Sequence, residues 1–366
     1  MGIDHSMAQA RHYLPIVHLS THPIARPTRL LDQLRERIRY AHYSLRTEKA
    51  YVQWVRRFIK FHGLKHPRQL DGAAVEAFLT DLVTTQRASA STHRQALAAL
   101  LFLYREVLSL DLPWMQQIGR PARKTFIPVV LSRDEVDRLL GAVDPDLQLV
   151  TSLLYGAGLR IAEGLSLRVK DLDFDRGVIV VRSGKGHKDR VVMLPKPLVA
   201  ALRTQLSRSH ALWERDRRQC LPGVYLPDAL ATKYPRAGES WSWYWLFPSP
   251  VLAFDPRSGI RRRHHMHPQR IGRALSRAAR QAHIPKHVTA HTLRHSFATH
   301  LLDSGVDIRR IQELMGHYDV SSTMIYTHVL GSSAAGTPSP LEMLRPSPAD
   351  APGGKFRVAT SASWRP

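Results

Sequence analysis

The stretch "VTAHTLRHSFATHLLDSG", residues 288–305, with "DIRRIQELMGH", residues 307–317, decides how the second half of this chain is read. Both segments read as helices. Gly305 and Gly316 stand where C-terminal helix caps belong, and Asp307 suits an N-cap. His291 lies one turn before Arg294, so the two side chains point the same way. His317 follows the glycine that closes the second helix. Tyr326 comes next, on a short helix started by Ser321 or Ser322. Arg294 is a planar fork that matches phosphate oxygens, and a tyrosine hydroxyl can act as a nucleophile. The order of these residues is more informative than any one of them.

Upstream segments extend the pattern. "LSRDEVDRLLGAV" opens a helix at a capping box, Ser132 with Glu135. "LVTSLLYGAGLRIAEGLSLRVKDLDF" reads as helix, glycine break, then helix. That places Arg160 at a helix start, where the dipole also favours an anion. "GVIVVRSGKGHKDRVVMLP" gives two β-branched runs around a Gly-Lys-Gly-His turn, a hairpin with Lys185 at its tip. Breaking a DNA phosphodiester without metal calls for cations on the non-bridging oxygens, an in-line nucleophile and an acid for the leaving oxygen. Arg160, Lys185, His291, Arg294, His317 and Tyr326 offer each of these.

The first third of the chain is helical. In "SLRTEKAYVQWVRRFIKFHG", Tyr51, Trp54, Val55, Phe58 and Ile59 follow the apolar helix template, and Gly63 ends the run. Arg46, Lys49, Gln53, Arg56, Arg57 and Lys60 fill the other face. "DGAAVEAFLTDLV" is another helix. "ASTHRQALAALLFLYREVL" is a further one, with Ser91 or Thr92 as N-cap and Gln95 placed for a capping box. Residues 1–28 read as a poorly ordered extension. Residues 29–112 form a small helical domain. Residues 113–128, with Pro113, Pro121, Pro128, Arg120, Arg123 and Lys124, form an extended basic linker. Residues 129–330 form the second domain, and 331–366 a tail in which only "PLEMLR" suits a helix. The fold class is mainly α with small β elements.

Charge narrows the partner. The chain carries 53 Lys and Arg against 30 Asp and Glu, a net +23. Such a field attracts polyanions. The basic residues run along the whole chain with no apolar anchor, so nucleic acid leads over an anionic membrane surface. The single cysteine, Cys220, rules out a disulfide framework and fits a reducing cytoplasm. No signal-peptide core and no stretch of transmembrane length is present.

Residues 211–249 are unlike the rest. Trp241, Trp243, Trp245 and Phe247 alternate, which predicts one face of a strand, either packed on the core or open as a base-stacking platform. Basic "RSGIRRRHHMHPQR" follows.

"GLRIAEGLSL", "GKGHKDR", "HTLRHSFATHLL" and "LMGHYDVSSTMIYTH" resemble the boxes of the tyrosine recombinase (phage-integrase type) family. The likeness spans residues 124–330, and the helical part before it resembles the family's SAM-like core-binding domain. The resemblance implies that two domains close as a C-shaped clamp on DNA, with catalytic Arg160, Lys185, His291, Arg294, His317, the nucleophile Tyr326 and a supporting Glu163. It implies a 3′-phosphotyrosyl intermediate, no cofactor or metal, and a homotetramer in which the 339–345 segment docks on a neighbour. One departure is Ala162, where the family often has Ser; the lost hydroxyl costs about 1 kcal/mol of local hydrogen bonding.

The insert, the "DPRSG…RRHHMH" segment and the opening "LLDQLRERIRYAHYSLRTEKAYV" resemble the integron integrase branch. That implies binding of double-stranded attachment sites and of folded single-stranded hairpins whose bulged bases enter protein pockets. Pro256, His264 and His265 are the residues expected at bulged bases, with Lys233, Arg236, Trp241, Arg262 and Arg263 nearby. Two alternatives share much of the pattern. One is a type IB topoisomerase, against which the insert speaks; the other is a DNA-binding protein without catalysis, for which Ala162 speaks. A metal hydrolase using His264, His265 and His267 lacks a carboxylate pair at ligand spacing.

Overall fold

A computed structural model describes residues 29–110, 127–182, 189–226 and 228–316. The chain divides into two compact units, Met1–Thr125 and Phe126–Pro366.

Unit one is helical: α1 (Leu30–Tyr40), α2 (Leu45–Phe61), α3 (Gly72–Thr84) and α4 (Ala90–Phe102). Ser44 caps α2 by accepting from the Thr47 amide at 3.1 Å. The apolar stripe read from the sequence packs inward: Trp54, Val55 and Phe58 are buried, with Tyr51 and Ile59 packed beside them. Arg46, Lys49, Gln53, Arg56 and Lys60 face solvent, so α2 keeps a cationic side. The start of α4 differs from expectation. Ser89 is its N-cap and accepts from the Thr92 amide, while Gln95 accepts from the Trp54 indole at 3.0 Å. Gln95 thus serves tertiary packing between α2 and α4, and the cap lies upstream of Ser91.

Unit two begins with α5 (Arg133–Gly141), α6 (Pro145–Gly156) and α7 (Ile161–Leu165). Both arms of the Ser132–Glu135 capping box form. Strands β1 (Leu172–Asp173), β2 (Val178–Val181) and β3 (Arg190–Met193) make an antiparallel sheet in that order. Val178 pairs with Met193 and Val181 with Arg190. Ile179, Val181 and Val192 turn into the core, as strand alternation requires. Next come α8 (Val199–Arg218), α9 (Asp228–Lys233) and a hairpin of β4 (Pro248–Phe254) with β5 (Arg261–His265). Helices α10 (Pro268–Gln281), α11 (Ala290–Asp303) and α12 (Ile308–Met315) complete the described part.

The glycine break after α6 has a steric cause. Gly158 takes φ +60, and a Cβ there would lie 2.4 Å from the Phe297 ring on α11. Only glycine lets the α6–α7 turn approach α11 this closely. The Asp307 cap and the Gly316 left-handed cap of α12 both form.

The insert departs from its expected form. Trp241–Trp243 is a short 3₁₀ turn, and the strand starts only at Pro248. Trp241 packs against Trp213 and Tyr244, with ring centroids 5.9 and 6.1 Å away. Arg168 holds the cluster. It donates to the Trp243 carbonyl at 2.6 Å and the Tyr225 carbonyl at 2.8 Å, and stacks over Trp245 at 4.0 Å. Period-two spacing arose here from rings gathering around one buried cation.

Candidate active site

Three elements, α7, β3 and α11, converge on one carboxylate. Arg160 precedes α7, and Glu163 sits in its first turn. The Arg160 amide donates to Glu163 Oε2 at 2.8 Å, and its Nη1 reaches Oε1 at 2.6 Å. Arg190, the first residue of β3, adds a bidentate pair to the same carboxylate at 2.9 and 2.7 Å. Arg294 on α11 lies 3.8 Å from Glu163 Oε2. Three guanidinium groups thus surround one carboxylate, an excess of positive charge in a nearly closed setting. The side chains of Glu163, Arg190 and Arg294 are 8%, 9% and 4% exposed; that of Arg160 is 21% exposed and faces solvent. Burial alone would raise the Glu163 carboxyl. Hydrogen bonds from Arg190 and from the Arg160 amide outweigh it and hold the group down at about 2.

The same arginines secure the end of α12. Arg190 Nε donates to the Leu314 carbonyl at 2.8 Å, Arg294 Nη2 to the Met315 carbonyl, and Arg160 Nη2 to the Gly316 carbonyl at 3.3 Å. Arg294 Nη1 also donates to the Gly158 carbonyl at 2.5 Å. A helix C-terminus leaves its last carbonyls without helical partners and carries partial negative charge. Here three successive carbonyls are met by three cations.

His291 stands on the first turn of α11, and its ring is 6.5 Å from that of His295. Partial burial, then the nearby Arg294 and Arg160 charges, lower the His291 pKa. His295 is pushed further, to about 4, by burial and by His291 and Arg294. A neutral imidazole beside fixed guanidinium charges can accept or relay a proton near neutral pH. The arrangement gathers guanidinium charge of the kind that stabilises an oxyanion, with Arg160 the more exposed fork and Arg294 bound to the Gly158 and Met315 carbonyls.

Arg160, Glu163 and Arg294 lie together, with His291 near enough to Arg294 and Arg160 to feel their charges. Lys185, His317 and Tyr326 lie outside the described residues. Ala162 is exposed, and Arg160 takes its support from Glu163 and Gly316. Arg190 was missed by sequence reasoning. Its one signal was its place on the return strand of a basic hairpin, where every second side chain faces the core side.

The expected insert contacts divide. Lys233 and Arg236 are exposed, as is Pro256 in the β4–β5 turn. Asp255 shapes that turn by accepting from the Arg257 and Ser258 amides at 2.9 and 3.1 Å. Arg262 is partly exposed and lines a cavity of about 340 Å³ with Gly223, Tyr225, Leu226 and Arg257. His264 is half-buried, with a buried Nε2 that has no hydrogen-bond partner. His265 bonds the Met266 carbonyl at 2.8 Å and meets Trp245 edge-on. Trp241 is partly buried in the tryptophan cluster. Arg263 is a correction. It is 5% exposed and forms a bidentate pair with Asp216 on α8, both contacts at 2.6 Å. Tyr244 donates to the same carboxylate at 2.7 Å. The Arg263 charge is used inside the fold.

Among the described residues, no helix is long and apolar enough to cross a membrane. Residues 129–332 match the model of the phage integrase family, and residues 30–114 that of the phage integrase N-terminal SAM-like domain. The chain is 60% identical over 324 residues to an integrase/recombinase of Escherichia coli and, equally, to one of Pseudomonas aeruginosa. Each alignment covers 88% of this chain and 96% of the relative. Tyrosine recombinase XerA of Thermococcus kodakarensis is 32% identical over 313 residues, covering 84% of this chain and 93% of that protein. The fold is similar to the crystal structure of the XerH site-specific recombinase bound to difH substrate in a pre-cleavage complex. There the TM-score is 0.54 and the identity 20%, over 83% of this chain and 84% of that one.

Proposed function

This chain belongs to the phage integrase family and is a tyrosine-type site-specific DNA recombinase, and from that premise we propose that it is an integron integrase. Tyr326 attacks a DNA phosphate; its hydroxyl proton passes to His291 as the P–O bond to the phenol forms and the P–O5′ bond breaks. Lys185 delivers a proton to the departing 5′ oxygen. Arg160, Arg294 and His317 hold the non-bridging oxygens as charge builds, and His291 supports proton transfer and phosphate binding. Glu163 orients the arginines. A 5′-hydroxyl from a second DNA then attacks the 3′-phosphotyrosyl link and displaces Tyr326. The bond energy is kept in that link, so strand exchange calls for neither ATP nor metal.

The observation that carries the cleavage reading is the cluster of Arg160, Arg190 and Arg294 around Glu163, next to His291, whose pKa is lowered by partial burial and by the Arg294 and Arg160 charges. Integrating and excising gene cassettes, with folded single-strand hairpins among the sites, rests on the insert. The β4–β5 hairpin carries exposed Val251 and Phe254 on β4 and exposed Pro256 in its turn, beside the cavity that Arg262 lines. An apolar tip beside a cavity whose lining includes Arg257 and Arg262, along with Asp255 and Glu239, suits unpaired bases, which stack on apolar faces while phosphates meet Lys and Arg. Lys233, Arg236, Pro256, Arg262, His264 and His265 are the residues assigned to this contact, with Trp241 supporting it from within the tryptophan cluster. The protein acts as a homotetramer in the cytoplasm, where its DNA is.

The test is covalent trapping on nicked cassette sites, offered both as folded single strands and as plain duplex. The proposal expects a denaturation-resistant complex on the folded strand that is lost in Tyr326→Phe. Trapping on duplex alone would remove the integron reading and leave an ordinary site-specific recombinase. Tight binding with no covalent product on any site would indicate a DNA-binding protein without catalysis.

A further inference from the structure

Arg190 has no role of its own in the cleavage steps above, yet it touches both Glu163 and the end of α12. Its two Nη atoms take both oxygens of Glu163, and its Nε takes the Leu314 carbonyl. It also packs on Gly316, where a Cβ would meet Arg190 Cδ at 3.0 Å and Nη1 at 3.2 Å. Gly316 is at φ +58 and immediately precedes His317. Arg160 and Arg294 hold the next two carbonyls of the same turn. We propose that Arg190 is a positioning residue of DNA cleavage, which orients and neutralises Glu163 and fixes the turn from which the chain leaves α12.

Two consequences follow from the geometry. Without Arg190, the charge of Glu163 falls on Arg160, whose Nη1 it already holds at 2.6 Å, and on Arg294, 3.8 Å away. Arg160 is then drawn back toward the carboxylate, and less positive charge is presented to a phosphate. The Leu314 carbonyl also loses its cation, so the last turn of α12 is held by the two phosphate-binding arginines alone. Phosphate binding would then compete with holding that turn. With Arg190 in place the turn has a third cation, on the Leu314 carbonyl, that takes no part in phosphate binding. Lysine cannot substitute, because one ammonium cannot span both carboxylate oxygens and the carbonyl in a fixed plane.

This role rests on the proposed cleavage chemistry, and the experiment separates the two. The full chain is mixed with a nicked site, and the single-turnover rate of covalent complex formation is measured beside equilibrium DNA binding. Four proteins are compared: wild type, R190Q, E163Q and E163Q/R190Q. R190Q is expected to cleave at least about 30-fold more slowly while binding DNA within about threefold of wild type, since the loss is in positioning. In the E163Q background there is no carboxylate charge to neutralise and only the Leu314 contact is left to lose, so adding R190Q should cost several-fold less than it does in the wild-type background, a non-additivity that a general fold defect would not give. R190Q should also gain an acidic limb in its pH–rate profile, as the Glu163 carboxyl returns toward its ordinary range. R190K should be impaired like R190Q. R190Q cleaving at the wild-type rate, or slowing equally in both backgrounds, would overturn the positioning role. A wild-type chain that forms no covalent complex would instead overturn the cleavage reading, and this role with it.

Discussion

Replacing Arg263 by Met should cost stability and leave DNA affinity nearly intact, although Arg263 stands in a run of three arginines that reads as a DNA stripe. The guanidinium makes two 2.6 Å contacts with Asp216 and donates to the Ser249 and Pro250 carbonyls at 2.9 and 3.1 Å. Asp216 is 2% exposed. Methionine fills similar volume but leaves that carboxylate buried with only the Tyr244 hydroxyl. Breaking a buried pair from one side costs about 3–5 kcal/mol. Because the Tyr244 bond survives, the lower end applies, about 3 kcal/mol. For a unit of this size each kcal/mol moves Tm by roughly 2–4 °C, so a fall of about 6–12 °C is expected. Asp216→Asn combined with Arg263→Met removes both charges and should recover much of the loss. Scanning calorimetry measures the first quantity, and the salt dependence of duplex binding measures the second. A phosphate-contacting arginine would behave in the opposite way. An unchanged Tm with a salt slope reduced by about one would refute the assignment of Arg263 to the fold.

Other expectations follow from the same contacts. Gly158→Ala places a Cβ 2.4 Å from Phe297 at φ +60 and displaces the carbonyl that holds Arg294; it should cost about 2–3 kcal/mol and slow covalent trapping at least about tenfold, read by calorimetry and by single-turnover trapping. Acid should destabilise the second unit in two stages. His295 is neutral in the fold, with a pKa of about 4. The unfolded chain therefore takes up a proton that the folded chain does not as pH falls below about 6.5, and stability declines from there to about 4. Glu163, held at about 2, adds a loss that begins below about 4.5 and continues as pH falls. Tm measured against pH checks both stages, and His295→Gln should flatten the upper one.

What could be read from the sequence was local. The Ser132–Glu135 box, the Gly158 break, the hairpin of β2 and β3, and the pairing of His291 with Arg294 on one helix face all follow from spacing within a few residues. The rest depended on distant partners. Arg263 meets an acid that lies on α8, and nothing near it in the chain distinguishes it from Arg262. Arg190 acts because β3 brings it against α7 and α12, whereas its neighbours suggest only another cation in a basic loop. The tryptophans of 241–245 mimic strand alternation, yet their spacing reflects a 3₁₀ turn and the demands of Arg168. Charge and apolar period speak for the face a residue presents; they do not say which buried acid will claim an arginine.

The measurement closest to the central claim is the site of the covalent bond. The full chain would be trapped on a nicked site, the DNA digested, and the remaining nucleotide adduct mapped by peptide mass spectrometry. The account predicts a single 3′-nucleotide adduct on Tyr326. An adduct on another residue, or a cleaved strand with no bond to the protein, would contradict it.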